Sequence, residues 1–160
     1  MSMIGNYLLV TADELEKLYS SPDSISQFLY EEKDEEIKDI DKAWHAIHFT
    51  LNGSEWDGEI PLFNVVMGGT PIGEEDVGYG PARGLNPEQV TQTYLALKEI
   101  DAQAFKSKYS SEALTKNDIY PQIWSEDEEA LEYVLFYYSE VVSIFENASQ
   151  NKKGLIIFMN

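Results

Sequence analysis

The chain has 160 residues, of which 29 are acidic and 11 basic, giving a formal charge of −18. Such a balance offers no basic surface to phosphates or anionic lipids, so nucleic acid and membrane are excluded as natural partners. There are no cysteines, which removes disulfides, thiolate catalysis and thiolate zinc sites, and suits a reducing cytoplasm.

Hydrophobic residues make up 43% of the chain and aromatics 12%, enough to pack one domain over residues 1–160. The first six residues have neither a basic region nor a long apolar run, so no signal peptide is expected. No apolar stretch approaches the roughly 18 residues that cross a bilayer. Tyr7-Leu8-Leu9-Val10 reads as a buried strand. Thr11-Ala12-Asp13-Glu14 is a capping box that opens a helix with Leu15, Leu18 and Tyr19 at helical spacing. Ser21-Pro22 opens a second helix, with Ile25, Phe28 and Leu29 as its apolar stripe. Residues 31–41 are densely acidic, and they read as a solvated connection or as a docking strip for a basic partner.

A third helix is expected over residues 39–51, stopping at Asn52-Gly53. At about 100° per residue, Ile40, Trp44, Ile47 and Leu51 share one face, while Asp41, His45 and His48 share the neighbouring arc. Residues 60–67 read as a central strand with Pro61 at its start. The Gly-rich residues 68–84 follow as a loop. Asn86-Pro87-Glu88-Gln89 caps another helix, residues 102–116 give two short helices, and residues 119–124 are extended. Ser125-Glu126-Asp127-Glu128 is a third capping box and opens the longest helix, whose row runs from Leu131 to Phe145. Lys152-Lys153-Gly154 ends it, and residues 155–159 form a last buried strand. The pattern implies an α/β fold: a small mixed sheet of three or more strands covered by helices on both sides. The long connections allow parallel pairing.

Several of these stretches together resemble the bacterial YfbM-like family, a domain family of unknown function. The resemblance rests on Met3-Ile4-Gly5-Asn6-Tyr7, on residues 39–48 around Trp44, His45 and His48, on Gly68-Gly69-Thr70-Pro71-Ile72-Gly73 with Gly78-Tyr79-Gly80-Pro81-Ala82-Arg83, and on Ile119-Tyr120-Pro121 with Trp124. It runs nearly end to end. It implies a compact α/β domain and implies no activity.

Both histidines and the single arginine fall in two of these stretches. Asp41, one helical turn before His45, would orient the imidazole as a general base, with His48 one turn on. Alternatively one imidazole bonds a backbone carbonyl while Trp44 and Ile47 pack the core. Two histidines at i, i+3 lack the third ligand that zinc normally takes, so no metal or other cofactor is assigned. Six of the ten glycines lie in residues 68–84, where amides could form an anion nest with Arg83 as a bidentate fork. The spacing matches neither common nucleotide-phosphate loop. The alternative has Arg83 pairing with Glu74, Glu75, Asp76 or Asp41 to pin the loop. Tyr79, Tyr120 and Trp124 would wall a pocket or cover a core edge. The candidate pocket is thus Asp41, Trp44, His45, His48, Gly73, Tyr79, Arg83, Tyr120 and Trp124.

Two functions follow. The favoured one is a non-catalytic binding or protein-interaction module whose acidic surface suits a basic protein, in an inhibitor or immunity-like role. The alternative is an enzyme or small-ligand binder that uses His45, Asp41 and Arg83 on a carboxylate- or phosphate-bearing compound. The sequence leaves the oligomeric state open.

Overall fold

Alternation along two strands sets the layout. In β1 (Gly5–Val10), Tyr7 enters one core while Leu8 and Val10 enter another. In β5 (Gly154–Met159), Leu155 and Ile157 join Tyr7, and Ile156 and Phe158 join Leu8. Successive side chains of a strand point to opposite faces, so both strands are buried on both sides. The structure, a computed structural model, describes residues 2–125 and 128–160.

The sheet has the order β2-β1-β5-β4-β3, with β2 at Lys38–Asp39, β3 at Thr70–Pro71 and β4 at Arg83–Leu85. Every neighbouring pair is antiparallel. Connection length alone does not decide direction, because a crossover with more than one helical leg can re-enter the sheet from either end. One face carries α1 (Ala12–Ser20) and the helical segment that includes α2 (Ile25–Gln27), packed through Leu15, Leu18, Ile25 and Leu29. The other carries α3 (Trp44–Asn52), α4 (Pro87–Leu97), α5 (Ala102–Lys108), α6 (Ser111–Lys116) and α7 (Glu128–Gln150). Helices therefore cover both faces of the sheet.

Local chemistry fixes most boundaries. Thr11 accepts from the Glu14 amide while Glu14 reaches back to the Thr11 amide, and Asn86 and Gln89 do the same for α4. Gly53, at φ 70°, ends α3 in the left-handed conformation that costs glycine least. The capping box at Ser125 includes Glu126 and Asp127, which lie outside the described residues.

Three expectations are corrected. Residues 60–67 are not a strand: Leu62–Val65 is a 3-10 turn, and Ile60 is exposed. Both edges of β5, the central places of the sheet, are already taken by β1 and β4, and residues 60–67 enter no ladder of the sheet. The helix over residues 39–51 begins later. Asp39 belongs to β2, Asp41 sits at φ 50°, and α3 starts at Trp44. Residues 119–124 contain a turn in place of an extended run, the Gln122 amide donating to the Ile119 carbonyl at 2.8 Å.

Candidate functional site

The segment between α3 and β3 makes no sheet ladder, so its carbonyls must find donors elsewhere. Side chains supply them. His45 Nε2 donates to the Glu55 carbonyl at 3.0 Å, and His48 Nε2 donates to that of Asp57 at 3.1 Å. Asn52 Nδ2 lies 3.5 Å from the Leu62 carbonyl, and the Tyr7 hydroxyl donates to the Val65 carbonyl. Arg83 Nη1 completes the series on the Val66 and Gly68 carbonyls at 3.0 and 2.7 Å. The rare side chains do meet a common stretch of backbone, but they meet it as its hydrogen-bond donors.

This geometry decides what the imidazoles can do. The Tyr120 amide donates to His45 Nδ1 at 2.9 Å, so the ring is neutral with its proton on Nε2. His48 Nδ1 lies 3.4 Å from Asn52 Nδ2, a weaker version of the same arrangement. Both rings are buried, at 3% and 0% exposure. Burial pushes the pKa of each down, to about 4 for His48, against the opposing pull of the Asp57 carbonyl. A general base needs a free lone pair within reach of a substrate proton. Here each lone pair already faces an N–H donor, and a metal ion would need the same lone pairs.

Asp41 does not orient His45. Its left-handed backbone takes it off the helix, and its carboxylate accepts instead from the Tyr133 hydroxyl at 2.9 Å. Arg83 pairs with none of Glu74, Glu75, Asp76 or Asp41: among the described residues the ion pairs are Lys33 with Glu14 and Lys33 with Glu36. A guanidinium in a half-buried β4 position lowers its desolvation cost by donating to nearby carbonyls, which the residues just after the 3-10 turn provide. The Gly-rich loop does form an amide nest, and the protein fills it: Gly78 and Gly80 donate to Asp76 Oδ1 at 2.8 and 3.0 Å. No exogenous anion is required there.

The remaining candidates separate. Trp44, His45 and Tyr120 form one stack, with ring centroids 5.0 and 5.5 Å apart, extended on the outside by Trp56 at 4.5 Å from His45. Trp44 Nε1 donates to the Met3 carbonyl, and the Met3 amide donates to the Tyr120 hydroxyl, both at 2.8 Å. Trp124 is buried with its indole donating to the Ile119 carbonyl. Gly73 and Tyr79 belong to the loop on the opposite side of the sheet, where Ile72 and Val77 join the α1 core. Gly73 presses against Pro22, and the Tyr79 amide donates to the Met159 carbonyl. The predicted nine therefore do not line one cavity.

Sequence reasoning missed Tyr7, Asn52, Trp56 and Tyr133. Only Trp56 carried a signal: an indole beside Glu55 and Asp57 in a polar run is worth noting. A hollow of about 370 Å³ does lie beside the histidines, lined by Phe49, Gly53, Ser54, Glu55, Trp56, Asp57 and Asn117. No helix among the described residues is long and apolar enough to cross a membrane.

Comparison with known proteins agrees with this fold. A crystal structure of YfbM from Escherichia coli, described as a protein of unknown function, superposes with a TM-score of 0.76 at 20% identity, covering 98% of this chain and 99% of that one. Identity at that level establishes the fold alone. No curated protein matches. The model of a domain of unknown function, DUF1877, matches residues 1–158, and the chain belongs to that family.

Proposed function

We propose that the chain acts as a one-domain binding module whose acidic surface captures a basic protein, working in the cytoplasm without catalysis of its own. One observation carries this reading: the residues best suited to acid/base or anion chemistry are spent on backbone carbonyls, while the carboxylates are left at the surface. Asp34, Glu35, Asp39, Glu74 and Glu75 are exposed, and among the described residues Lys33 alone forms ion pairs. Excess charge of one sign steers an oppositely charged partner and sets its rate of association. The inhibitor or immunity-like role named from the sequence is one form of such capture.

Immobilised chain exposed to cell extract at about 50 mM salt should retain a basic protein that elutes as salt rises to about 500 mM, because screening shortens the reach of surface charge. Retention of no basic protein at the lower salt would remove the proposal.

A further inference from the structure

Helix α7 buries Val134, Tyr138, Val141 and Phe145 in a row against the sheet. The flank of that row carries two partly buried rings, Tyr133 and Tyr137, which lead out to an exposed third. Phe136, about half a turn from that row, is 57% exposed. Its ring meets Tyr137 edge-on at 5.0 Å, and Tyr137 meets Tyr133 at 5.1 Å. Contiguous rings that lead from a core to the surface mark contact sites when polar groups surround them.

Acids outnumber bases beside these rings, with Asp39, Asp41 and Glu140 against Lys38 and Lys42. Asp41 accepts from the Tyr133 hydroxyl, and Asp39 donates no charge relief, since its carboxylate accepts only the Asp41 amide within hydrogen-bond reach. Glu140 lies one turn beyond Phe136 and Tyr137 on the same side of α7. Partial burial raises the Tyr137 phenol first, and the charges of Asp41, Asp39 and Glu140 raise it further. Lys38 and Lys42 are close in sequence, yet neither forms an ion pair with these acids among the described residues.

We propose that this face of α7 docks an arginine-bearing segment of a basic protein. A guanidinium suits it twice over. Its plane stacks on the exposed Phe136 ring as a cation–π contact, and its N–H groups donate to the adjacent carboxylates. Rings alone would accept any apolar partner, and carboxylates alone would attract any cation diffusely. The pairing of both selects arginine on a protein surface, where aromatic and arginine side chains dominate binding energy. This inference rests on the acidic-module reading and assigns its contact surface.

The test measures binding of fluorescein-labelled nona-arginine to the full chain by fluorescence polarisation at about 50 mM salt. Two variants of equal net charge are compared. Asp39→Asn with Glu140→Gln removes charge from the face. Glu74→Gln with Glu75→Gln removes the same charge from the loop on the other side of the sheet. The face variant should bind about fivefold more weakly than wild type, and the loop variant within about twofold. Phe136→Ser with Tyr137→Ser, which leaves net charge unchanged, should also weaken binding by about fivefold. Equal weakening by the two charge variants, or wild-type affinity in the aromatic variant, overturns the docking face and leaves the general acidic reading in place. No binding by the wild-type chain overturns both.

Discussion

Lowering the pH from about 7.5 to about 5 protonates His48 in the unfolded chain well before it does so in the folded one. The folded imidazole titrates near 4 against an ordinary 6.5, chiefly because it is buried. Between those values the unfolded state binds more protons. The stability linked to this ring is therefore complete above pH 6.5 and falls as pH drops toward 4. A shift of that size removes about 2 kcal/mol by pH 5. His45 moves in the same direction and adds to the loss. Carboxylates also titrate in this range, so the comparison must be internal. In His48→Gln the side-chain amide still reaches toward the Asp57 carbonyl but takes up no proton. Urea unfolding followed by tryptophan fluorescence, run on both chains at the two pH values, gives the difference directly. The wild-type advantage should shrink by about 2 kcal/mol on acidification. An advantage that is the same at both pH values would refute the burial argument.

Other perturbations have separate signatures. Arg83→Met keeps much of the apolar bulk but leaves the Val66 and Gly68 carbonyls without their donor; chemical denaturation should show a loss of about 2–4 kcal/mol, and a loss under about 0.5 would show that water replaces the guanidinium freely. Gly73→Ala puts a Cβ 2.6 Å from Pro22 Cβ at φ +69°, so thermal melting should report about 1–2 kcal/mol of destabilisation, and an unchanged midpoint would contradict the strain. Thr11→Ala removes half of the capping box of α1 and should cost about 1 kcal/mol in urea, with Thr11→Asn restoring most of it.

The parts of the fold that rest on local rules were legible in the sequence. Thr11 and Asn86 act on neighbours three residues away, Gly53 answers the end of its own helix, and residues 155–159 are too apolar for an exposed place. The parts that depend on distant partners were not. Residues 60–67 have the composition of a strand, but the central places beside β5 are taken by β1 and β4, and the Tyr7 and Arg83 side chains hold their carbonyls instead. Asp41 sits at helical spacing from His45, but strand β2 holds the chain up to Asp39, so the helix cannot begin early enough to use that spacing. The candidate residues were chosen for scarcity, and scarcity did mark residues with a task. It could not tell whether a histidine or arginine faces a ligand or a carbonyl, because that depends on donors and acceptors brought in by Tyr120, Glu55 and the residues just after the 3-10 turn. Asp76 filling its own loop amides is a similar case: the nest was readable, its occupant was not.

Strand β5 lies between β1 and β4, yet it is the last of these elements to leave the ribosome. Until residues 154–159 emerge, β1 has only the two-residue β2 beside it and β4 only the two-residue β3. The β2–β1 pair and the β3–β4 pair must wait for their shared middle, which leaves the inward faces of β1 and β4 open to other apolar surfaces during translation. A chain halted before Gly154 could still pack α4 and α5 on α7, but nothing would join β1 to β4.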